Sequence, residues 1–170
     1  AGLGTYDQFN AGKVYIRGLE LSFTNKIFLK EFIIPFQLSY TLTTSRFKSS
    51  FESDYEPWGT VEEGFELPYL PKHQLFIESG LSYSKLDFNI RLKNSSRMRT
   101  IAGKGNLDKN FSTDEIRLID CFGLYKINNS LNFFFSVSNF TDTNSVVSRR
   151  PAGLRPSLPR SINFGIRFDS

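Results

Sequence analysis

Between Lys85 and Lys93 every even position is apolar and every odd position polar: Leu86, Phe88, Ile90 and Leu92 alternate with Lys85, Asp87, Asn89, Arg91 and Lys93. Side chains of a strand point alternately to opposite faces, so this segment predicts a strand with one apolar and one polar face. The same rhythm runs through Ile34, Phe36, Leu38, Tyr40 and Leu42, and through Leu75, Ile77, Leu81 and Tyr83. It returns in Leu131, Phe133, Phe135 and Val137, and in Ile162, Phe164, Ile166 and Phe168. Segments 13–24 and 116–127 follow it less cleanly, because Arg17 breaks the first apolar face and Asp120 interrupts the second. The pattern predicts about seven strands, each near the ~9–11 residues that a tilted strand needs to cross a bilayer.

Connections between these segments alternate in length. Short ones are expected at Asn25-Lys26, Ser84-Lys85 and Asn128-Asn129-Ser130, and long ones over 45–72, 96–115 and 141–160. A soluble β-sandwich gives no reason to gather every long loop at one end. An outer-membrane barrel does, with short periplasmic turns and long extracellular loops. About seven strands are too few to close around a lumen, so the expectation is part of a larger antiparallel transmembrane β-barrel.

Composition sharpens this in a few places. Among 170 residues there are 18 Phe and 7 Tyr, a bias that suits pleated, half-buried surfaces. A net charge of +4 is too small to argue for a nucleic-acid partner. No run approaches the ~18 apolar residues of a membrane helix, which leaves strands as the means of crossing. The single cysteine, Cys121, rules out an internal disulfide, and the single histidine, His73, removes most histidine-based metal sites. No protein metal site and no resident cofactor are expected. The chain begins Ala1-Gly2-Leu3 without Met or a signal-like segment, so a preceding N-terminal part is expected.

Three stretches resemble the C-terminal region of TonB-dependent outer-membrane receptors. They are Asn10 to Leu21 with Gly18-Leu19-Glu20, Leu67-Pro68-Tyr69-Leu70-Pro71-Lys72-His73, and Val137-Ser138-Asn139-Phe140-Thr141-Asp142 followed by Pro159-Arg160 and a closing strand. Met98 to Gly105 and Arg150 to Pro156 look most like the ferric-dicitrate branch. The resemblance implies that residues 1–170 are the C-terminal segment of a 22-stranded barrel, with the plug domain outside this chain. It implies an outer-membrane location, a transported ferric chelate (ferric citrate or a siderophore) as ligand, and TonB as partner through the missing N-terminal region. The family usually ends on an aromatic residue, whereas here Phe168 is followed by Asp169 and Ser170.

No Gly-x-Ser-x-Gly, His-Glu-x-x-His or phosphate loop is present, and neighbouring carboxylates such as Glu62-Glu63 and Asp114-Glu115 read as solvated loop residues, so no enzyme activity is expected. The basic residues are the binding candidates: Arg97 and Arg99 in the second long loop, and Arg149, Arg150 and Arg155 in the third. Guanidinium forks bind carboxylates in a bidentate way, as an anionic chelate requires. The competing reading places these arginines on the phosphates of surface lipopolysaccharide. Asn139, Asp142, Pro159 and Arg160 are expected to be structural, with short polar side chains bonding local backbone where strand gives way to loop. The first long loop is acidic, carrying Glu52, Asp54, Glu56, Glu62, Glu63 and Glu66, and could pair with the basic loops. Besides a TonB-dependent importer, a passive porin and a soluble β-sandwich binding module remain open at this point.

Overall fold

The computed structural model describes residues 12–150 and 153–168. Its strands are β1 (Val14–Leu29), β2 (Phe32–Phe47), β3 (Phe51–Glu52), β4 (Thr60–Val61), β5 (His73–Tyr83), β6 (Leu86–Ser95), β7 (Ile116–Lys126), β8 (Leu131–Ser138), β9 (Val146–Ser148), β10 (Arg155–Pro156) and β11 (Ser161–Phe168). Seven of them form one antiparallel meander in the order β1-β2-β5-β6-β7-β8-β11. The sheet is open, with β1 and β11 at its edges. The remaining four make two short ribbons inside the long loops, and one 3-10 turn covers Lys109–Phe111. No helix among the described residues is long or apolar enough to cross a membrane; in this fold strands would do so.

Register fixes the faces. Phe88 pairs with Gly123, Gly123 with Phe135, and Phe135 with Phe164, so these share one face. Ile90, Phe133 and Ile166 lie on that same face. Asn89, Phe122, Ser136 and Asn163 form the corresponding row on the other face, with Asp87, Arg91 and Arg167. The apolar face is strongly exposed: Ile162 by 65%, Ile166 by 66% and Phe164 by 75%. A protein surrounded by water does not present such a continuous band, and a membrane wall does. On β1 the band runs from Leu19 to Leu29, roughly 33 Å at ~3.3 Å per residue. Tilted by ~40°, that covers roughly 25 Å, the height of the apolar band of outer-membrane barrels.

The expected turn at Asn25-Lys26 is corrected. β1 runs on through both residues, pairing Asn25 with Phe36 and Lys26 with Pro35, and the chain reverses at Lys30-Glu31. Alternation continues beyond Asn25 through Ile27 and Leu29, at the expense of one amide on the outward face. Lys30 takes φ 54° and Ser84 in the next hairpin φ 52°, the left-handed region used in tight two-residue turns. Pro35 interrupts the β2–β5 ladder, and the Ser79 hydroxyl donates to its carbonyl at 3.2 Å. β7 reads poorly in sequence because Leu118, Phe122 and Leu124 stand on the otherwise polar face beside Asp120.

Packing across the wall uses glycine where aromatic rings cross. A Cβ at Gly123 would lie 2.1 Å from the Phe135 ring, and one at Gly165 2.9 Å from the Phe134 ring. The polar face is tied by Arg91–Glu78 at 2.7 Å and Lys93–Asp120 at 3.1 Å. The buried apolar core lies elsewhere. Phe47 and Val61, each 1% exposed, are the buried large hydrophobics among the described residues, and both sit at the long-loop end.

Candidate functional site

The three long loops, over 48–72, 96–115 and 139–160, fold onto one another as a cap at one end of the sheet. Its apolar centre is Phe47, Phe51, Tyr55 and Trp58, whose rings meet edge to face at 5.1–6.3 Å. Backbone bonds then join the loops: Ala102 N to Pro57 O, Glu66 N to Gly103 O, Tyr69 N to Arg99 O, and Asp114 N to Val146 O.

Charge adds a second layer. Glu66 holds Arg99 at 2.7 Å, Glu62 holds Lys104 at 3.3 Å, and Glu56 pairs with Arg150. The acidic first loop thus pairs with both basic loops. Arg99, with a side chain only 11% exposed, also donates to the Gly105 carbonyl. Arg97 donates to Thr113 O at 3.2 Å and Ser112 Oγ at 2.6 Å. Arg149 donates to Ser112 O at 2.6 Å, and Arg150 N donates to the Tyr69 hydroxyl. Four of the five candidate arginines are therefore committed to the cap. Arg155, on β10, is exposed and forms no ion pair among the described residues. Pro151 and Ala152, beside it in sequence, lie outside the described residues, as do Asn10 and Ala11 of the first motif.

Of the five candidate arginines, the two of the second loop line one cavity, and those of the third loop do not. A space of about 270 Å³ is lined by Ser45, Arg46, Glu66, Lys72, Arg97 and Arg99 among others. Lys72 escaped the sequence reading, because a lone lysine before a strand carries no signal of what it faces. Ser45, 6% exposed, anchors this wall through its hydroxyl, which accepts from Leu67 N at 3.0 Å. Arg97 and Arg99 are pre-positioned by carbonyls, so a bound anion would meet them at little ordering cost.

Asn139 and Asp142 hold the third loop to the sheet. Asn139 is 3% exposed with φ 52°; its amide donates to Thr143 O and Leu158 O, both at 2.9 Å, and its carbonyl accepts from Thr143 N at 3.0 Å. Asp142 accepts from Arg160 N at 3.2 Å and Arg160 Nη2 at 3.4 Å. Pro159 precedes this contact and stands two residues ahead of β11, clear of the ladder. His73 faces outward beside Leu42, with its Nδ1 2.7 Å from the Tyr40 hydroxyl, an interfacial pair. No group of three metal-ligating side chains occurs among the described residues.

The model of the TonB-dependent receptor-like β-barrel matches residues 1–140. The chain belongs to that family. It is accordingly an outer-membrane protein of Gram-negative bacteria, of a family of transporters and receptors, and its apolar face is the lipid-facing wall. The match stops before the loop residues Arg149 to Arg160 and the last strand. No curated protein matches the chain.

Solved structures share the fold. The siderophore receptor PiuA of Acinetobacter baumannii superposes with a TM-score of 0.69 at 15% identity, over 92% of this chain and 22% of that one. The outer-membrane transporter YddB of Escherichia coli gives 0.67 at 14% identity, over 94% and 26%. The ferric-catecholate import receptor Fiu of Escherichia coli, in its closed form, gives 0.56 at 16% identity, over 99% and 29%. The chain thus spans less than a third of the length of each of these proteins.

Proposed function

We propose that this chain is the C-terminal barrel segment of a receptor that imports an anionic ferric chelate, energised by TonB through a segment N-terminal to it. The long loops face the outside in this reading and the turns face the periplasm. The observation that carries it is the cavity at the long-loop end, where Lys72, Arg97 and Arg99 converge on a space with one carboxylate, Glu66. Glu66 is half exposed, so its bond to Arg99 is replaceable. A chelate carboxylate or catecholate can take its place, accepting from a guanidinium already held in position. Arg155, exposed in the third loop and without an ion pair among the described residues, is offered as a first contact. Ferric citrate and siderophores both present this anionic chemistry; the stretches Met98 to Gly105 and Arg150 to Pro156 favour ferric dicitrate.

The test uses the full-length protein, with ferric dicitrate and a ferric catecholate as ligands. Arg99→Ala removes a charge-assisted contact worth roughly 1.5–3 kcal/mol, so affinity for the true ligand should fall about ten- to a hundredfold. Arg97→Ala and Arg155→Ala should weaken it less. Unchanged affinity for both ligands in all three variants removes this cavity as the site. Uptake that persists without TonB replaces the importer with a passive porin.

A further inference from the structure

On the outward face of the β1–β2 hairpin, the last apolar pair at the long-loop end is Leu19 opposite Leu42. One row further out the chemistry changes. Arg17 stands opposite Thr44 and Tyr15 opposite Arg46, and Lys48 N donates to Lys13 O, which continues the register. Alternation therefore brings Lys13, Arg17, Arg46 and Lys48 to the same face as the lipid-facing leucines, immediately above them. Lys48 Nζ lies 4.0 Å from the centre of the Tyr15 ring, and Arg17 Cζ lies 4.9 Å from it.

None of these four cations is ion-paired among the described residues. Elsewhere the same face is neutralised: Arg117 on β7 is bound by Glu115 at 3.0 Å. Tyr15, Arg17, Arg46 and Lys48 line a groove of about 460 Å³, in which Glu63 is the one carboxylate. Cations that face lipid just above the apolar band sit at headgroup depth, where they need anionic partners from the membrane.

We propose that this cluster binds the phosphates of lipopolysaccharide in the outer leaflet, fixing one glycolipid to the β1–β2 wall. Two strands contribute, Lys13 and Arg17 from one and Arg46 and Lys48 from the other, which suits a headgroup carrying two phosphates. Arginine supplies forked donors to phosphate oxygens and lysine adds point charges, while the Tyr15 ring supports the partly desolvated cations. The assignment rests on the long loops being extracellular, as in the function proposed above, but not on the chelate.

The experiment uses the full-length receptor in detergent, with purified diphosphoryl lipid A as probe and native mass spectrometry or fluorescence titration as readout. Arg17→Gln/Arg46→Gln/Lys48→Gln should lower lipid A affinity at least about tenfold, since each lost charge-assisted bond is worth that much or more. Arg17→Lys/Arg46→Lys should retain an intermediate affinity, and Arg117→Gln should change it less than about twofold, on the same scale. Monophosphoryl lipid A should bind more weakly than the diphosphoryl form. Heat-modifiable migration on gels shows which variants keep a folded barrel, and single Lys48→Gln serves if the triple variant does not. Equal lipid A binding by wild type and the folded charge variants overturns the proposal. So does equal binding of phosphatidylglycerol, which would show that any anionic lipid suffices. Ferric chelate binding should stay unchanged in Arg17→Gln/Lys48→Gln, whose side chains lie outside the chelate cavity, which separates this site from the transport reading.

Discussion

The wall and the cap solve opposite problems with the same chain. In the wall, large apolar side chains stand outside and polar ones inside: Phe164 is 75% exposed, while Glu78 and Arg91 pair across the other face. In the cap, Phe47 and Val61 are buried to 1%; the buried Thr113 and Asn139 side chains bond within their own loops, and the buried Ser145 hydroxyl donates to Glu115 O between two of them. Lipid supplies the apolar partner of the wall, so the wall needs no core of its own but must satisfy every backbone group within the sheet. The cap is bathed in water and needs a core, however small, to hold loops of 20 to 25 residues in place. The difference teaches that stability in this chain is split between two solvents, and that each region should fail in its own way.

The largest effect should come from reversing a wall face. Phe135 lies mid-strand on the lipid side and covers Gly123. Phe135→Arg should cost roughly 2–4 kcal/mol, read as lost heat-modifiability or early urea unfolding in lipid vesicles. Ser136→Arg, one residue on, enters the lumenal space near Glu78 and Asp120 and should leave assembly intact. Equal damage from both would break the contrast of faces.

A smaller and more local effect is expected at the junction. Asn139→Ala removes the donors to Thr143 O and Leu158 O and places alanine at φ 52°. The cost should be about 1–3 kcal/mol, confined to the loop over 139–160. Protease should then cut that loop faster while the barrel still migrates as folded. Global unfolding instead would mean that cap and wall are one cooperative unit.

Surface pairs in the cap should matter little. Lys104 and Glu62 are both well over half exposed, so Lys104→Ala should shift the urea midpoint by less than about 1 kcal/mol equivalent. A larger loss would give the charge layer a weight that the aromatic centre is assigned here.

The smallest effect is a pH dependence at Glu115. The amide of Asn94, at 2.6 Å, and then Arg117 hold this carboxyl below its ordinary value. A depressed folded value means that its contribution is present above the ordinary carboxylate range and is lost as pH falls through the folded value. The difference between wild type and Glu115→Gln should therefore shrink towards zero in acid, in a series of unfolding midpoints. A difference that grows in acid would reverse the sign of the linkage.

The two regions were also unequally legible in sequence. Strict alternation made β2, β5, β6, β8 and β11 readable, because lipid tolerates few departures on the outward face. β1 was cut short at Asn25-Lys26, since an amide beside a lysine looks like a turn, while the true reversal at Lys30-Glu31 has no glycine or asparagine to announce it. In the cap, the sequence offered charges without partners. It suggested that acidic and basic loops could meet, but not that Glu66 meets Arg99 or that Ser112 receives two arginines. The Glu66–Arg99 and Arg149–Ser112 pairings join different loops, which no periodicity encodes. The Asn139–Asp142 turn was readable in type, because short polar side chains bond local backbone there; that its amide reaches across to Leu158 was not.

The central claim is that the wall spans the outer membrane with the cap outside. Single cysteines at Leu158, 85% exposed in the third loop, and at Asn129, in the β7–β8 turn, test it in a cysteine-free full-length background on intact cells. With a membrane-impermeant thiol reagent, the account predicts labelling at Leu158→Cys at once and at Asn129→Cys only after the envelope is opened. Labelling of Asn129→Cys but not Leu158→Cys on intact cells would contradict it.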